Sequence, residues 1–174
     1  MTSEPAEAFV WVWLPGAAEP VVAGRVQSEG DIVNFNYGRS YLEREDAIPL
    51  YLPELPLRSG AIPPARGLSM PGCIADAMPD AWGRRVVMRH VLGSSARAAD
   101  AGGLGPLGFM LESGSDRIGA IDFQRSPDVY EPRRGDNAPL AELMEAAQRV
   151  DEGMPLTPEL DLSLIHISEP TRPY

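Results

Sequence analysis

The sequence contains no lysine, so its 15 fixed positive charges are all arginines, and they face 25 acidic residues. The formal net charge is −10 at neutral pH. A chain this acidic is a poor candidate for direct nucleic-acid binding, because neutralising phosphates requires a basic surface. We therefore expect an acidic soluble protein that makes no direct contact with nucleic acid.

Cysteine and histidine are also scarce. Cys73 is the single cysteine, which excludes an intramolecular disulfide and fits a reducing compartment. It has no basic partner close in sequence, so we interpret it as a small buried residue rather than a nucleophile. One of the two histidines, His166, lies in an atypical tail, and no histidine or cysteine pair has ligand spacing. We therefore predict no metal site.

Long hydrophobic runs are missing as well. No apolar run approaches the roughly 20 residues that a membrane-spanning helix needs. The first eight residues are acidic and lack the basic start of a signal peptide, and we expect them to be disordered. These features predict a cytoplasmic protein without membrane contact.

The strongest helical pattern that is present lies at residues 73–93. Trp82, Val86 and His90 recur every four residues, as do Val87 and Val91. This spacing predicts one broad apolar face. Trp82 is accordingly interpreted as a core anchor, and His90 as a core histidine.

A proline divides this segment. Because proline lacks an amide hydrogen and clashes with the preceding turn, one helix should end near Met78 and a second should begin at Pro79 and stop at Gly93. On a straight helix Asp76 and Asp80 would form a carboxylate pair suited to acid–base chemistry. The favoured interpretation places Asp80 in a first turn, where its charge meets the helix dipole.

The rest of the chain shows an alternation of strands and short helices. Strands are predicted at 9–14, 21–27, 32–37, 48–52 and 118–123, and short helices at 40–45, 95–101 and 106–112. The first three strands form an antiparallel meander with a tight turn at Gly30. Asn34 and Asn36 should face outward from the third strand. Residues 53–72, rich in proline and glycine, should form an irregular exposed loop.

A polar segment at 125–137 has no periodicity and is predicted to be a linker. An amphipathic helix should follow it, capped by Asn137. Its apolar stripe consists of Leu140, Leu143, Met144, Ala147 and Val150.

Three glycines, Gly103, Gly105 and Gly108, match the pattern G-x-G-x-x-G. A nucleotide site would need a strand before this pattern and a helix after it. Here a helix-prone segment precedes it, and Pro106 removes a backbone donor. We favour a loop that uses glycine's backbone freedom and keep a small nucleotide-binding enzyme as an alternative.

Residues 76–84, DAMPDAWGR, resemble the "DSLPDGWGR"-type signature of HipA-like proteins, the kinase toxins of bacterial type II toxin–antitoxin pairs. Further segments match in order: VWL (12–14) with AGRV (23–26), FNYGRSYLER (35–44), IPLYLPELPL (48–57) and DRIGAIDF (116–123). The signature residues are expected to be structural: Asp76, Pro79, Asp80, Trp82, Gly83 and Arg84.

The resemblance implies a serine/threonine kinase as the parent protein. Phosphoryl transfer needs a phosphate-binding loop, a lysine, a catalytic aspartate and metal ligands. This chain has no lysine, and in the family the catalytic parts lie further downstream. We therefore expect no catalytic residues, ATP or magnesium in this chain, although the resemblance implies both cofactors for the parent. It also implies two partners, a HipB-like helix-turn-helix antitoxin and the remainder of the kinase core, so that DNA is reached only through the antitoxin.

The last segment, LSLIHISEPTR at 162–172, resembles a translated sequencing adapter of the transposase type. We expect residues 162–174 to be non-native and the reading frame to be interrupted near Asp161.

These observations predict an α+β fold, with a small antiparallel, barrel-like or bent sheet packed by a helix pair. The expected organisation is a disordered start (1–8), a HipA-like N-terminal subdomain (9–124), a linker (125–137), the beginning of a truncated kinase core (138–161) and the tail. The predicted function is a truncated, non-catalytic module that braces the kinase and contacts the antitoxin. The alternative is a stand-alone interaction module of a split HipA-like system.

Overall fold

The computed structural model describes residues 5–92, 104–117, 119–133, 144–145, 148–149 and 154. Four antiparallel strands form an open sheet in the order β3-β2-β1-β4. The strands are β1 (Glu7–Val12), β2 (Val21–Glu29), β3 (Ile32–Tyr37) and β4 (Ile121–Gln124), and the helices are α1 (Arg39–Leu42), α2 (Gly72–Asp76), α3 (Ala81–Leu92) and α4 (Pro106–Glu112). The predicted α+β class is confirmed.

Strands β1, β2 and β3 form the predicted meander, and the β2–β3 turn contains Gly30 with a positive φ of 64°. A second glycine, Gly24, allows β2 and β3 to approach closely. A Cβ atom at this position would lie 2.0 Å from the carbonyl oxygen of Asn36. The meander therefore depends on glycine both at its turn and within its central strand.

The core lies on one face of the sheet. Val10, Val26 and Phe35 from three neighbouring strands are fully buried there, together with Phe123 from β4. Asn34, predicted to face outward, is also buried and only 8% exposed. Apolar and polar residues alternate along β3, as predicted. The polar residue Asn34 is nevertheless buried, so the alternation does not match burial and exposure.

The predicted strand at 48–52 is wrong. Within this range the structure has only an isolated bridge, which joins Tyr51 to Leu55. The nearby backbone bonds to tyrosine hydroxyls instead: Tyr41 donates to the carbonyl of Ile48 (2.8 Å), and Tyr37 accepts from the amide of Leu50 (2.9 Å). Because side chains satisfy these backbone groups, this segment needs no neighbouring strand.

The loop at 53–72 is irregular, as predicted, but it is not exposed throughout. Leu55 and Ile62 are buried, and Ile62 forms a bridge with Phe35 of β3. The amide of Val33 also donates to the carbonyl of Ser69 (2.7 Å). The loop therefore covers the outer edge of β3, where unpaired backbone groups would otherwise be accessible.

The predicted helix pair is present as α2 and α3. The predicted start at Pro79 is wrong, because α2 ends at Asp76 and Asp80 caps an α3 that begins at Ala81. Trp82, Val86 and Val87 of α3 are buried as expected, but Val91 is 37% exposed.

Several predicted features lie outside the described residues. They are the helix at 95–101, most of the helix at 138–150, the side chain of His90, the stop at Gly93 and the tail at 162–174. Among the helices that are described, none is long and apolar enough to cross a membrane.

Candidate functional site

The junction between α2 and α3 carries the signature residues, and Asp80 defines where α3 begins. Its Oδ1 accepts the amide of Gly83 at 2.7 Å, and its carbonyl accepts the amide of Arg84 at 2.9 Å. This is the geometry of an N-cap, which satisfies amides that have no partner within the helix. The carboxylate is therefore occupied in holding the helix start.

Trp82 and Arg84 hold the junction against the rest of the module. The Trp82 side chain is 1% exposed, and its indole nitrogen has no hydrogen-bond partner among the described residues. Arg84 donates to the carbonyl of Pro79 at 3.1 Å and lies 5.6 Å from the ring centroid of Phe109 in α4. The signature thus joins α3 to α4 through the cation–π contact of Arg84, while Trp82 is buried in the core.

A buried arginine outside the signature also holds this junction. Arg117 donates from Nε to Oδ1 of Asp122 (2.8 Å) and from Nη1 to the carbonyl of Ala77, at the end of α2 (2.9 Å). Its Nη2 donates to the carbonyl of Met110 in α4. The Arg117 and Asp122 side chains are only 1% and 0% exposed. One guanidinium therefore joins the signature junction, α4 and strand β4.

Asp122 is the acceptor at the centre of this network. Burial by itself raises the pKa of this carboxyl, but hydrogen bonds from Ser115 and Arg117 and the positive charge of Arg117 outweigh burial, so that the pKa lies below its ordinary value. Gln124 donates to Oδ2 at 2.9 Å, and the Tyr130 hydroxyl donates to it at 3.0 Å. The carboxylate is thus held ionised inside the protein.

Residues 125–133, the start of the predicted linker, pack against the sheet. The ring of Tyr130 lies 5.5 Å from that of Trp11 and 5.2 Å from that of Trp13. The Trp11 indole donates to the carbonyl of Ser126 at 3.1 Å, and Arg133 donates to the carbonyl of Phe123 at 2.8 Å. We call residues 125–133 the exit segment, and its contacts make it part of the module.

A cleft of about 540 Å³ opens beside the signature junction. Its lining is mostly apolar and includes Val12, Ile48, Leu50, Ala77 and Ile121. Asp76 is the one charged residue among its lining residues. An apolar cleft with a single carboxylate suits binding better than catalysis, because the lining offers no second carboxylate and no histidine or basic side chain to act with Asp76.

Cys73 lines the same cleft and is half-buried. Burial, followed by the negative charge of Glu54, raises the pKa of the thiol to about 11. A thiol with so high a pKa is almost entirely protonated at neutral pH and is a weak nucleophile. The interpretation of Cys73 as a small, unreactive residue agrees with this environment.

The glycine-rich motif forms the start of α4. Gly105 is the N-cap residue, and Pro106 is the first helical residue. A Cβ atom on Gly108 would lie 2.7 Å from side-chain atoms of Leu104, so this glycine permits close packing. Gly103 lies outside the described residues. The described part of the motif thus acts in helix initiation and packing.

The structure brings together Asp80, Trp82, Gly83 and Arg84 at the start of α3 and places Asp76 on the neighbouring cleft. No group of acidic, histidine and cysteine side chains suited to holding a metal occurs among the described residues. Sequence reasoning missed Arg117, Asp122 and Tyr130. The sequence does contain one hint of this network: Asp122 is an acidic residue within a strand pattern that is otherwise apolar.

The comparison with protein families agrees with this geometry. The family model for the HipA N-terminal domain matches residues 12–124, which is more than half of the chain and includes both Arg117 and Asp122. A search of curated proteins finds no match.

Proposed function

The chain belongs to the HipA N-terminal domain family, and from this membership we propose that it is the non-catalytic module of a HipA-like toxin kinase. In this proposal the module braces the kinase core and contacts a HipB-like helix-turn-helix antitoxin. The observation that carries it is the apolar cleft next to the signature junction, whose lining backbone is held by hydrogen bonds from tyrosine and arginine side chains.

The framing of the cleft supports a docking role. Ile48 and Leu50 are held in place by the tyrosine hydroxyls that bond their backbone, and Ala77 is held by Arg117. Ile48 is still 39% exposed. A preformed apolar surface of this kind reduces the ordering cost of binding a partner.

The charges near the cleft favour a basic partner. Asp76 lines it, and Glu54 lies close enough to influence the Cys73 thiol. Carboxylates at the cleft would complement a basic patch on the antitoxin that does not contact DNA, and they disfavour acidic partners. DNA would then be reached only through the antitoxin.

Catalysis is assigned to the downstream kinase core and not to this module. ATP and magnesium would be bound there, because phosphoryl transfer uses a lysine that this sequence lacks. The signature aspartate Asp80 is engaged as a helix cap. We propose that the module braces the kinase core through the exit segment, which is packed against the sheet.

Binding to the helix-turn-helix protein encoded beside the gene in its source genome tests this proposal. Ile48→Asp places a second carboxylate in the cleft and should weaken binding at least about tenfold, as for a residue at the centre of an interface. Val129→Asp is the matched control, since Val129 is 60% exposed and does not line the cleft. Equal affinities for the two variants, measured by calorimetry, would contradict docking at the cleft.

A stand-alone module of a split system is the second candidate. The packing of residues 125–133 onto Trp11 favours it, because this segment is then held by the module itself and needs no partner to position it. Purification of the first 133 residues as a stable, cooperatively folding protein would support it. The nucleotide-binding alternative predicts a rise in melting temperature with millimolar ATP.

A further inference from the structure

We infer that the exit segment and the signature junction open and close as one cooperative unit, coupled through Tyr130, Asp122 and Arg117. The unit links the chain that leaves the module to the start of α3. The inference concerns the fold of this chain and holds whether or not an antitoxin binds the cleft.

The coupling path consists of three successive hydrogen bonds. The Tyr130 hydroxyl donates to Oδ2 of Asp122 at 3.0 Å. The other carboxylate oxygen accepts Nε of Arg117 at 2.8 Å, and Nη1 of Arg117 donates to the carbonyl of Ala77 at 2.9 Å. Ala77 is 40 residues from Arg117 in sequence, so the path joins parts of the chain that local structure does not connect.

Burial makes this path cooperative. Arg117 and Asp122 are 1% and 0% exposed, so water cannot replace a hydrogen bond that opens. When a bond at one end is lost, a buried charge is left partly unsatisfied. The resulting rise in free energy makes the other bonds of the path easier to break. The guanidinium also lies 4.9 Å from the ring centroid of Phe123, which restricts the positions it can adopt.

A second set of contacts ties the exit segment to the same carboxylate. Gln124 donates both to Oδ2 of Asp122 (2.9 Å) and to the carbonyl of Glu131 (3.1 Å). The amide of Ser115 donates to the carbonyl of Arg133 at 2.8 Å, and the amide of Arg133 donates to Oγ of Ser115 at 3.0 Å. Displacement of the exit segment would therefore disturb Asp122 at several points, and through it Arg117.

Hydrogen exchange of the full chain tests the coupling, with Tyr130→Phe as the variant. This change removes one hydroxyl and keeps the ring that packs on the two tryptophans. Loss of a hydrogen bond to a charged group should speed exchange about tenfold. We expect this acceleration at the amides of Arg133 and Ser115 and also at Ala77 and Met78 in the signature junction, whose amides donate to Ile74 and Ala75.

Two controls separate coupling from general destabilisation. Tyr51→Phe removes the hydroxyl of a tyrosine that is 46% exposed and should change no exchange rate. The amide of Val26, in the central strand, should keep its wild-type rate in Tyr130→Phe. Acceleration confined to the exit segment would overturn the coupling, and so would an equal acceleration at every amide. Asp122→Asn, which weakens the centre of the path, should reproduce the pattern of Tyr130→Phe.

Discussion

Replacing Arg117 with methionine tests whether the buried network stabilises the module. The variant keeps an unbranched side chain but removes the guanidinium, and with it the 2.8 Å bond to Asp122 and the 2.9 Å bond to the carbonyl of Ala77. The bond to the carbonyl of Met110 is lost as well. Because both ionised side chains are at most 1% exposed, water cannot take over these bonds.

The expected loss is large compared with the total stability of a domain. Removing one partner of a buried ion pair costs about 3–5 kcal/mol, since the remaining charge stays buried without its partner. The orphaned carbonyls would add about 1–3 kcal/mol each if nothing relaxed, so 3–5 kcal/mol is the conservative range. Domains are stable by about 5–15 kcal/mol, so Arg117→Met should lose a substantial part of that free energy.

Urea unfolding, followed by the fluorescence of the tryptophans, measures this loss. Arg125→Met is the matched control, because its ion pair with Glu112 lies at the surface, with side chains 62% and 30% exposed. Exposed pairs contribute about 0–1 kcal/mol. A loss below about 1 kcal/mol for Arg117→Met, or equal losses for the two variants, would refute the reasoning from burial.

Acidification should also lower the unfolding free energy of the module, because it protonates Asp122. Hydrogen bonds and the charge of Arg117 hold the pKa of its carboxyl below the ordinary value despite burial. A carboxyl whose pKa is lowered by folding stabilises the protein fully above its unfolded pKa of about 3.9, and this stability is lost as the pH falls through the folded pKa. Asp122→Asn should therefore flatten the decline in unfolding free energy below about pH 4. An unchanged acid profile would contradict the assignment.

Three further predictions concern single side chains. Tyr37→Phe should cost about 1–3 kcal/mol in unfolding free energy, because the buried hydroxyl bonds the Leu55 carbonyl and the Leu50 amide; a loss no greater than that of Tyr51→Phe would contradict this. Asp80→Ala should cost about 0.5–2 kcal/mol through loss of the cap on α3, and Asp80→Asn, which can still accept the amide, should restore most of it. Cys73, with a pKa of about 11, should react with iodoacetamide much more slowly than free cysteine at pH 8; equal rates would show that the thiol is not held in the cleft.

Local sequence patterns predicted the meander and the helix pair well. Proline at 79 separates the two helices, because it lacks an amide hydrogen and clashes with the preceding turn, and Gly30 permits the tight turn between β2 and β3. The helix at Pro106–Glu112 was predicted with its observed bounds, because proline is well suited to the first helical position. Each of these signals is contained in a window of a few residues.

The errors arose where distant residues replaced local partners. The apolar run at 48–52 has strand composition, yet the hydroxyls of Tyr37 and Tyr41 bond its backbone and remove the need for a strand partner. The polar exit segment has no periodicity, yet Tyr130 packs on Trp11 and accounts for its position. The composition of a segment indicates which secondary structure it could form. It does not indicate which distant side chains will bond its backbone or pack against it.

The sequence by itself determined the family, the helix breaks and the strand alternation, since these follow from backbone geometry and apolar spacing. Only the tertiary structure decided that β4 pairs with β1 and that Arg117 joins Asp122 to the carbonyl of Ala77. The physical reason is that a buried charge must find its partners wherever the folded chain brings them, and those partners lie up to 40 residues away.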